Sequence, residues 1–286
     1  MVDEQVAIPL AVRLALGRAA AQVLADQCNA DVLHIKGNAV DSSLQLVERS
    51  GTDVDILVRP GHVDALDRAL RDHGWTVRSS FTYGSPFEHA QTYWNRAWGY
   101  LDLHRRFPGV RRAPDAAFDA LWRGRLLIDV GSVACPVPDA VGQTTILILN
   151  SARSGGLAGT ALEQTWVRAS PQFRSGVEQL VGALDAPTAF AAAFGRLEEH
   201  EHEPDYELWR VVTQGGSRVD EWRARAAAAP TRIEALKILL RAPRVNIEQL
   251  GHQLGHAPSW WEVGRALGSR VVRAVRDLRV RARRRS

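Results

Sequence analysis

Apolar residues follow two rhythms along the 286-residue chain, and the change comes near residue 137. Before it, short β-branched or alternating runs dominate. Asp31–Ile35, Val54–Val58, Trp75–Phe81 and Gly99–Arg105 read as strands. Leu126–Asp129 and Val133–Val137 flank Gly131 as a hairpin-like pair. Helical spacing appears in Val6–Gln27, rich in Ala and Leu, in Ala39–Val47, and in His62–His73, which Pro60-Gly61 opens and Gly74 closes. Tyr83–Arg96, aromatic and polar, reads as a loop over a site. From Pro138 onward Val141–Ala152, Phe173–Leu184, Thr188–His200, Arg218–Ala229 and Thr231–Leu240 favour helix between Gly and Pro breaks. The predicted class is α+β. A small mixed β-sheet with packed helices fills residues 1–137, and an all-helical domain with a basic C-terminal tail follows over 138–286.

Composition narrows the function classes. With 45% hydrophobic and 24% charged residues the chain is ordinary globular material and not a disordered one. No apolar run approaches the roughly 20 residues of a membrane span, so no membrane partner is expected. Met-Val-Asp-Glu at the start does not read as a secretory leader, and a cytoplasmic location is the expectation. Cys28 and Cys135 are too few for a disulfide framework or a four-cysteine zinc site. Charge is uneven. The net value is +4, yet residues 265–286 hold nine arginines against Asp277, leaving −4 for the other 264. Such a tail can attract nucleic acid, acidic partners or a membrane surface, and a solvated helix end has the same composition. Lys36 and Lys237 are the chain's two lysines among 36 basic residues.

Three short segments could carry chemistry. Asp53-Val-Asp55 leads an apolar strand, and residues two apart on a strand share a face, so both carboxylates point one way. Mg²⁺ is commonly held by one or two carboxylates together with substrate phosphates. Acids at an exposed strand end give the same pattern. His34-Ile-Lys36-Gly37-Asn38 sets a strand, a glycine turn and a helix start in sequence, where free backbone N–H groups favour phosphate. A plain strand-to-helix turn reads identically. In Tyr100-Leu-Asp102-Leu-His104, Asp102 and His104 share a face and could add a third carboxylate or take a proton from a hydroxyl. A surface Asp–His pair is the alternative.

In order, Lys36-Gly37, Arg49-x-x-x-Asp53-x-Asp55-Ile56-Leu57-Val58 and Asp102-Leu-His104 resemble the nucleotidyltransferase superfamily, the DNA polymerase β-like fold. The chain is most similar to its "uncharacterised nucleotidyltransferase" family, whose members read Lys-Gly, then Arg-x-x-x-Asp-[Ile/Val]-Asp-Leu-Leu-Val, then Asp-Leu-His. The motifs cover about Asp31 to Arg106, and Asn38 stands where relatives often carry Gly, Ser or a small apolar residue. The resemblance implies that Asp53, Asp55 and Asp102 are catalytic and hold two Mg²⁺ ions, with Mn²⁺ an alternative. Asp102 would also activate the acceptor. Lys36, Gly37, Asn38, Arg49 and His104 would bind nucleotide, though Lys36 or Arg49 could instead pair with Asp53 or anchor the turn. The implied reaction moves an NMP group from an NTP such as ATP to a hydroxyl or phosphate of an unspecified acceptor (small molecule, peptide or RNA), with RNA reached through the basic tail. A non-catalytic nucleotide- or RNA-binding protein on the same fold is the rival.

Other constellations fail on chemistry. Gly251-His252-Gln-Leu-Gly-His256 has Gln253 where a zinc protease needs its glutamate, and Glu198–Glu203 is a solvated charge run before Pro204. Arg153-Ser-Gly-Gly-Leu-Ala-Gly159 lacks the Gly-Lys-Ser/Thr of a P-loop.

Overall fold

The computed structural model describes residues 8–44, 51–229, 231–242, 250, 254, 256, 258–269 and 272, except the side chains of residues 83 and 84. Arg49, His252 and most of the basic tail therefore lie outside the described residues.

The chain begins with α1 (Leu10–Gln27), β1 (Val32–Ile35), β2 (Asp53–Val58) and α2 (Val63–Asp72). It continues through β3 (Thr76–Ser79), the single turn α3 (Phe81–Gly84), β4 (Ala90–Asn95), β5 (Gly99–His104) and α4 (Pro114–Trp122). The hairpin β6 (Leu126–Val130) and β7 (Val133–Val137) precedes a helical half. That half comprises α5 (Ala140–Ser151), α6 (Ala161–Arg168), α7 (Pro171–Ala183), α8 (Pro187–Ala193), α9 (Tyr206–Gln214), α10 (Arg218–Ala227) and α11 (Arg232–Arg241). The main sheet runs β1-β2-β5-β4-β3, with β2 and β5 parallel and the other pairs antiparallel. The α+β class read from the sequence is the one observed.

Alternation divides the sheet into two unlike faces. Val32, Val54, Ile56, Val58, Leu101 and Leu103 pack with Leu14, Leu24, Leu66 and Leu70 under α1 and α2. Leu66 and Leu70 are one helical turn apart, which gives α2 its buried stripe. Trp75 N–H reaches Leu70 O and Gly74 N–H reaches Arg71 O, a Schellman closure that Gly74 permits at φ +81°. On the opposite face Leu33, Ile35 and Leu57 join Phe107, Phe118, Ile148, Leu149, Val177 and Trp209 in one core that continues into the helical half. Backbone contact there is close: a Cβ on Gly109 would lie 2.3 Å from Ala189 Cβ and 2.9 Å from Trp209 Cζ2.

Three local expectations need correction. Within Ala39–Val47 the described residues form no α-helix; 3₁₀ turns occupy Gly37–Ala39 and Ser42–Leu44. Val40 is extended, the Asp41 N–H donates to Gln143 Oε1 of α5 (2.7 Å), and the Asp41 carboxylate accepts from the Ser43 N–H (2.8 Å). Tertiary and local side-chain bonds thus take groups a helix would use, and a three-residue turn has no helical macrodipole to offer phosphate. Tyr83–Arg96 is not all loop, because β4 lies inside it. Its inward polar groups are satisfied by Asp67, which accepts from Gln91 Nε2 (2.9 Å) and from the Tyr93 hydroxyl. Finally, Thr188–His200 breaks after α8, where Gly195 takes φ +69°, and resumes as a 3₁₀ turn over Leu197–His200.

Candidate active site

Register assembles the site. Ile35 lies opposite Asp55, Asp55 opposite Asp102, and Asp102 opposite Thr92, so one row crosses four strands on the face turned to the helical half. Asp53 follows on the same face, opposite Tyr100, and His104 lies one step the other way, opposite Leu57 and Ala90. The period-two spacing of both motifs has therefore put Asp53, Asp55, Asp102 and His104 on one surface.

The two central carboxylates have different surroundings. Asp55, 6% exposed, accepts from Lys36 Nζ (2.5 Å) and from His104 Nε2 (2.8 Å), both on Oδ1. Burial raises its pKa, but the Lys36 charge and the His104 hydrogen bond outweigh that and hold it at about 2. Asp102 accepts only from Thr92 Oγ1 (2.6 Å), on Oδ1, among the described residues. Burial first, then the charges of Asp55 and Asp53, outweigh that bond and push its pKa to about 6. Asp53 is raised for similar reasons, burial and then Asp55. His104, 1% exposed, is lowered to about 4, by burial and then Lys36, against the pull of Asp55.

Lys36 reaches its partner from an unusual backbone. At φ +59°, ψ 178° it occupies a region close to glycine-only, which costs about 1–3 kcal/mol. The half-buried ion pair with Asp55 fixes that turn, and Gly37 follows at φ +53°. Beneath it Arg18 of α1, 3% exposed, comes within 3.5 Å of the Lys36 carbonyl. Asn38 is exposed beside the turn.

Ligand atoms of Asp55, Asp102 and His104 lie within 4.8 Å of one another, so the three could hold a metal ion. The donor set fits a hard divalent cation. Two carboxylates face each other across one strand spacing, and the burial and mutual repulsion that raise Asp102 are what such a cation offsets. Asp53 is on the same face but outside that group of three.

Two further side chains adjoin the cluster that sequence reasoning did not assign. His89, 4% exposed, stacks obliquely on His104 with ring centroids 5.1 Å apart. Arg153, in the turn after α5, donates Nη1 to His89 Nε2 (3.0 Å), and the charges of Asp55 and Asp102 act on it. The sequence weighed Arg153 only as part of a failed P-loop and His89 only as part of a loop. The excluded acidic run is surface: Glu198, Glu199 and Glu201 are exposed.

No family model and no curated protein matches the chain. Among solved structures it is similar to the lincosamide antibiotic adenylyltransferase LnuA in its lincomycin-bound form (15% identity, TM-score 0.34, 59% of this chain and 96% of that one). It is also similar to an antigenic nucleotidyltransferase-like protein from Paracoccidioides brasiliensis (16%, 0.37, 64% and 93%). A third is the antibiotic-resistance factor ANT(2'')-Ia (14%, 0.35, 67% and 97%). Likenesses this distant leave function to the side chains.

Proposed function

We propose that the chain is a Mg²⁺-dependent nucleotidyltransferase that moves an NMP group from an NTP to an acceptor hydroxyl or phosphate. The observation that carries this reading is the in-register pair Asp55–Asp102 with Lys36 locked on one side and an elevated carboxyl on the other. In this reading Asp55 and Asp102, with Asp53 at the strand start, hold two Mg²⁺ ions, for which Mn²⁺ can substitute. When bound, the ions neutralise phosphate charge and favour in-line displacement.

The protein's own groups then have separable tasks. Lys36 supplies a compact positive charge to the phosphates, and Gly37, Asn38 and Arg49 are assigned to the same nucleotide-binding task. His104 donates to Asp55 and fixes the orientation of that carboxylate. Asp102 takes the proton as the acceptor oxygen bonds to the α-phosphorus and the bond to pyrophosphate breaks. We assign residues 1–137 to the nucleotide-binding unit and 138–286 to a helical unit that helps form the acceptor site. Acceptor classes in play are small molecules, peptides and RNA.

Incubation with α-³²P-labelled NTPs, Mg²⁺ and acceptor pools tests the reading. Label should enter an acceptor with wild-type protein and far more slowly with D102N. Metal-dependent NTP binding without label transfer from any pool would favour the non-catalytic nucleotide-binding alternative. NTP binding that is equal with chelator present would overturn the metal-dependent scheme.

A further inference from the structure

The protonation pattern of the two buried imidazoles is dictated by their neighbours. Asp55 is a carboxylate and only accepts, so His104 Nε2 carries the proton and Nδ1 carries the lone pair. Arg153 only donates, so His89 Nε2 must accept and its proton lies on Nδ1. Both Nδ1 atoms are buried with no hydrogen-bond partner among the described residues. The His89 ring is thus a neutral acceptor that, among the described residues, is bonded to Arg153, and it is wedged between His104 and Phe87 (centroids 5.1 and 6.4 Å).

That leaves the guanidinium with an unanswered charge. Arg153 is half-buried, and among the described residues its guanidinium hydrogen-bonds to a neutral ring and makes no ion pair with a carboxylate. Its other contact is the Phe87 ring, 5.9 Å from the guanidinium carbon. A partly desolvated cation held this way is unfavourable unless an anion completes it. Asp55 and Asp102 set the field around Arg153 but do not reach it, and they are the groups assigned above to the metal.

We infer that Arg153, aimed by His89, is a phosphate-binding residue through which the helical half grips the polyphosphate of the nucleotide. The inference rests on the nucleotidyl-transfer reading. Arg153 touches the ligand; His89 acts through it and is a positioning residue. Planar guanidinium donors left over from the His89 bond suit two phosphate oxygens at once.

Titration calorimetry of the full chain with inorganic pyrophosphate and Mg²⁺ tests this. R153Q keeps a donor for His89 and loses the charge, so it should fold normally and bind about ten- to hundredfold more weakly. R153K should recover part of that loss. H89Q, whose amide oxygen can still accept from Arg153, should stay near wild type, whereas H89L should weaken pyrophosphate binding and raise KM for NTP more than it lowers kcat. R153Q binding pyrophosphate as wild type does would overturn the Arg153 assignment and leave nucleotidyl transfer standing. Wild-type protein that binds neither pyrophosphate nor NTP with Mg²⁺ would remove both.

Discussion

Two histidines on opposite faces of the same sheet are nearly identical in burial and geometry and opposite in consequence. His34 of β1, 0% exposed, meets Gln22 Oε1 of α1 at 2.9 Å; His104 of β5, 1% exposed, meets Asp55 Oδ1 at 2.8 Å. Burial lowers the pKa of both, and each leaves a buried Nδ1 without a partner among the described residues. The difference lies in the partner. Gln22 is neutral and donates from its amide Nε2 to the exposed Asp26, so the network under α1 ends at the surface. Asp55 is charged, also holds Lys36, and faces a second carboxylate. A buried histidine is therefore no marker of a site by itself. The charge it is bonded to is.

The largest effect expected on either face is that of D55N. It leaves the Lys36 ammonium half-buried against a neutral amide, which should cost about 3–5 kcal/mol in denaturant unfolding and abolish label transfer. Next is D102N, which should lower transfer by about 10²–10⁴-fold without loss of stability, because it removes a charge that Asp55 and Asp53 repel. Its pH signature follows from the sign of the shift. A carboxyl raised to about 6 from 3.8 binds its proton more tightly folded than unfolded. Metal-free protein should thus gain about 1–3 kcal/mol from this group as pH falls from 7 to 4. The gain should be absent from D102N when the two unfolding profiles are subtracted.

The comparison is sharpened by H34L, which should cost about 1–3 kcal/mol by stranding the Gln22 carbonyl while leaving kcat and KM for NTP unchanged. An H34L variant with impaired transfer would show that the two faces are coupled. Smallest is the expected effect on pyrophosphate affinity of neutralising Arg279, Arg281, Arg283, Arg284 and Arg285, which should be nil. If RNA is the acceptor, the same change should flatten the dependence of RNA affinity on salt, since arginines release condensed counterions. RNA affinity unaffected by salt and by the change would eliminate that acceptor class.

Much of the fold is legible where a short-range rule operates. Leu66 and Leu70 with Gly74, the Gly131 hairpin and the Asp53–Val58 alternation are fixed by spacing of two to four residues, and the structure reproduces each. Legibility stopped where distant partners took over. Ala39–Leu44 was withdrawn from helix by a bond that the Asp41 N–H donates to Gln143, and β4 was hidden because its inward Gln91 and Tyr93 look polar until Asp67 is found beneath them.

The site divides the same way. By itself the sequence determined which carboxylates share a strand face, because side chains on a strand alternate whatever surrounds them: Asp53 with Asp55, and Asp102 with His104. Only the tertiary structure decided that β2 and β5 pair in parallel with Asp55 opposite Asp102, that Lys36 is turned at φ +59° onto Asp55, and that Arg153 arrives from the helical half onto His89. The reason is physical. Alternation is a property of local backbone geometry, whereas register, charge pairing and pKa arise from groups brought together by packing, and no residue's own neighbours in the chain encode them.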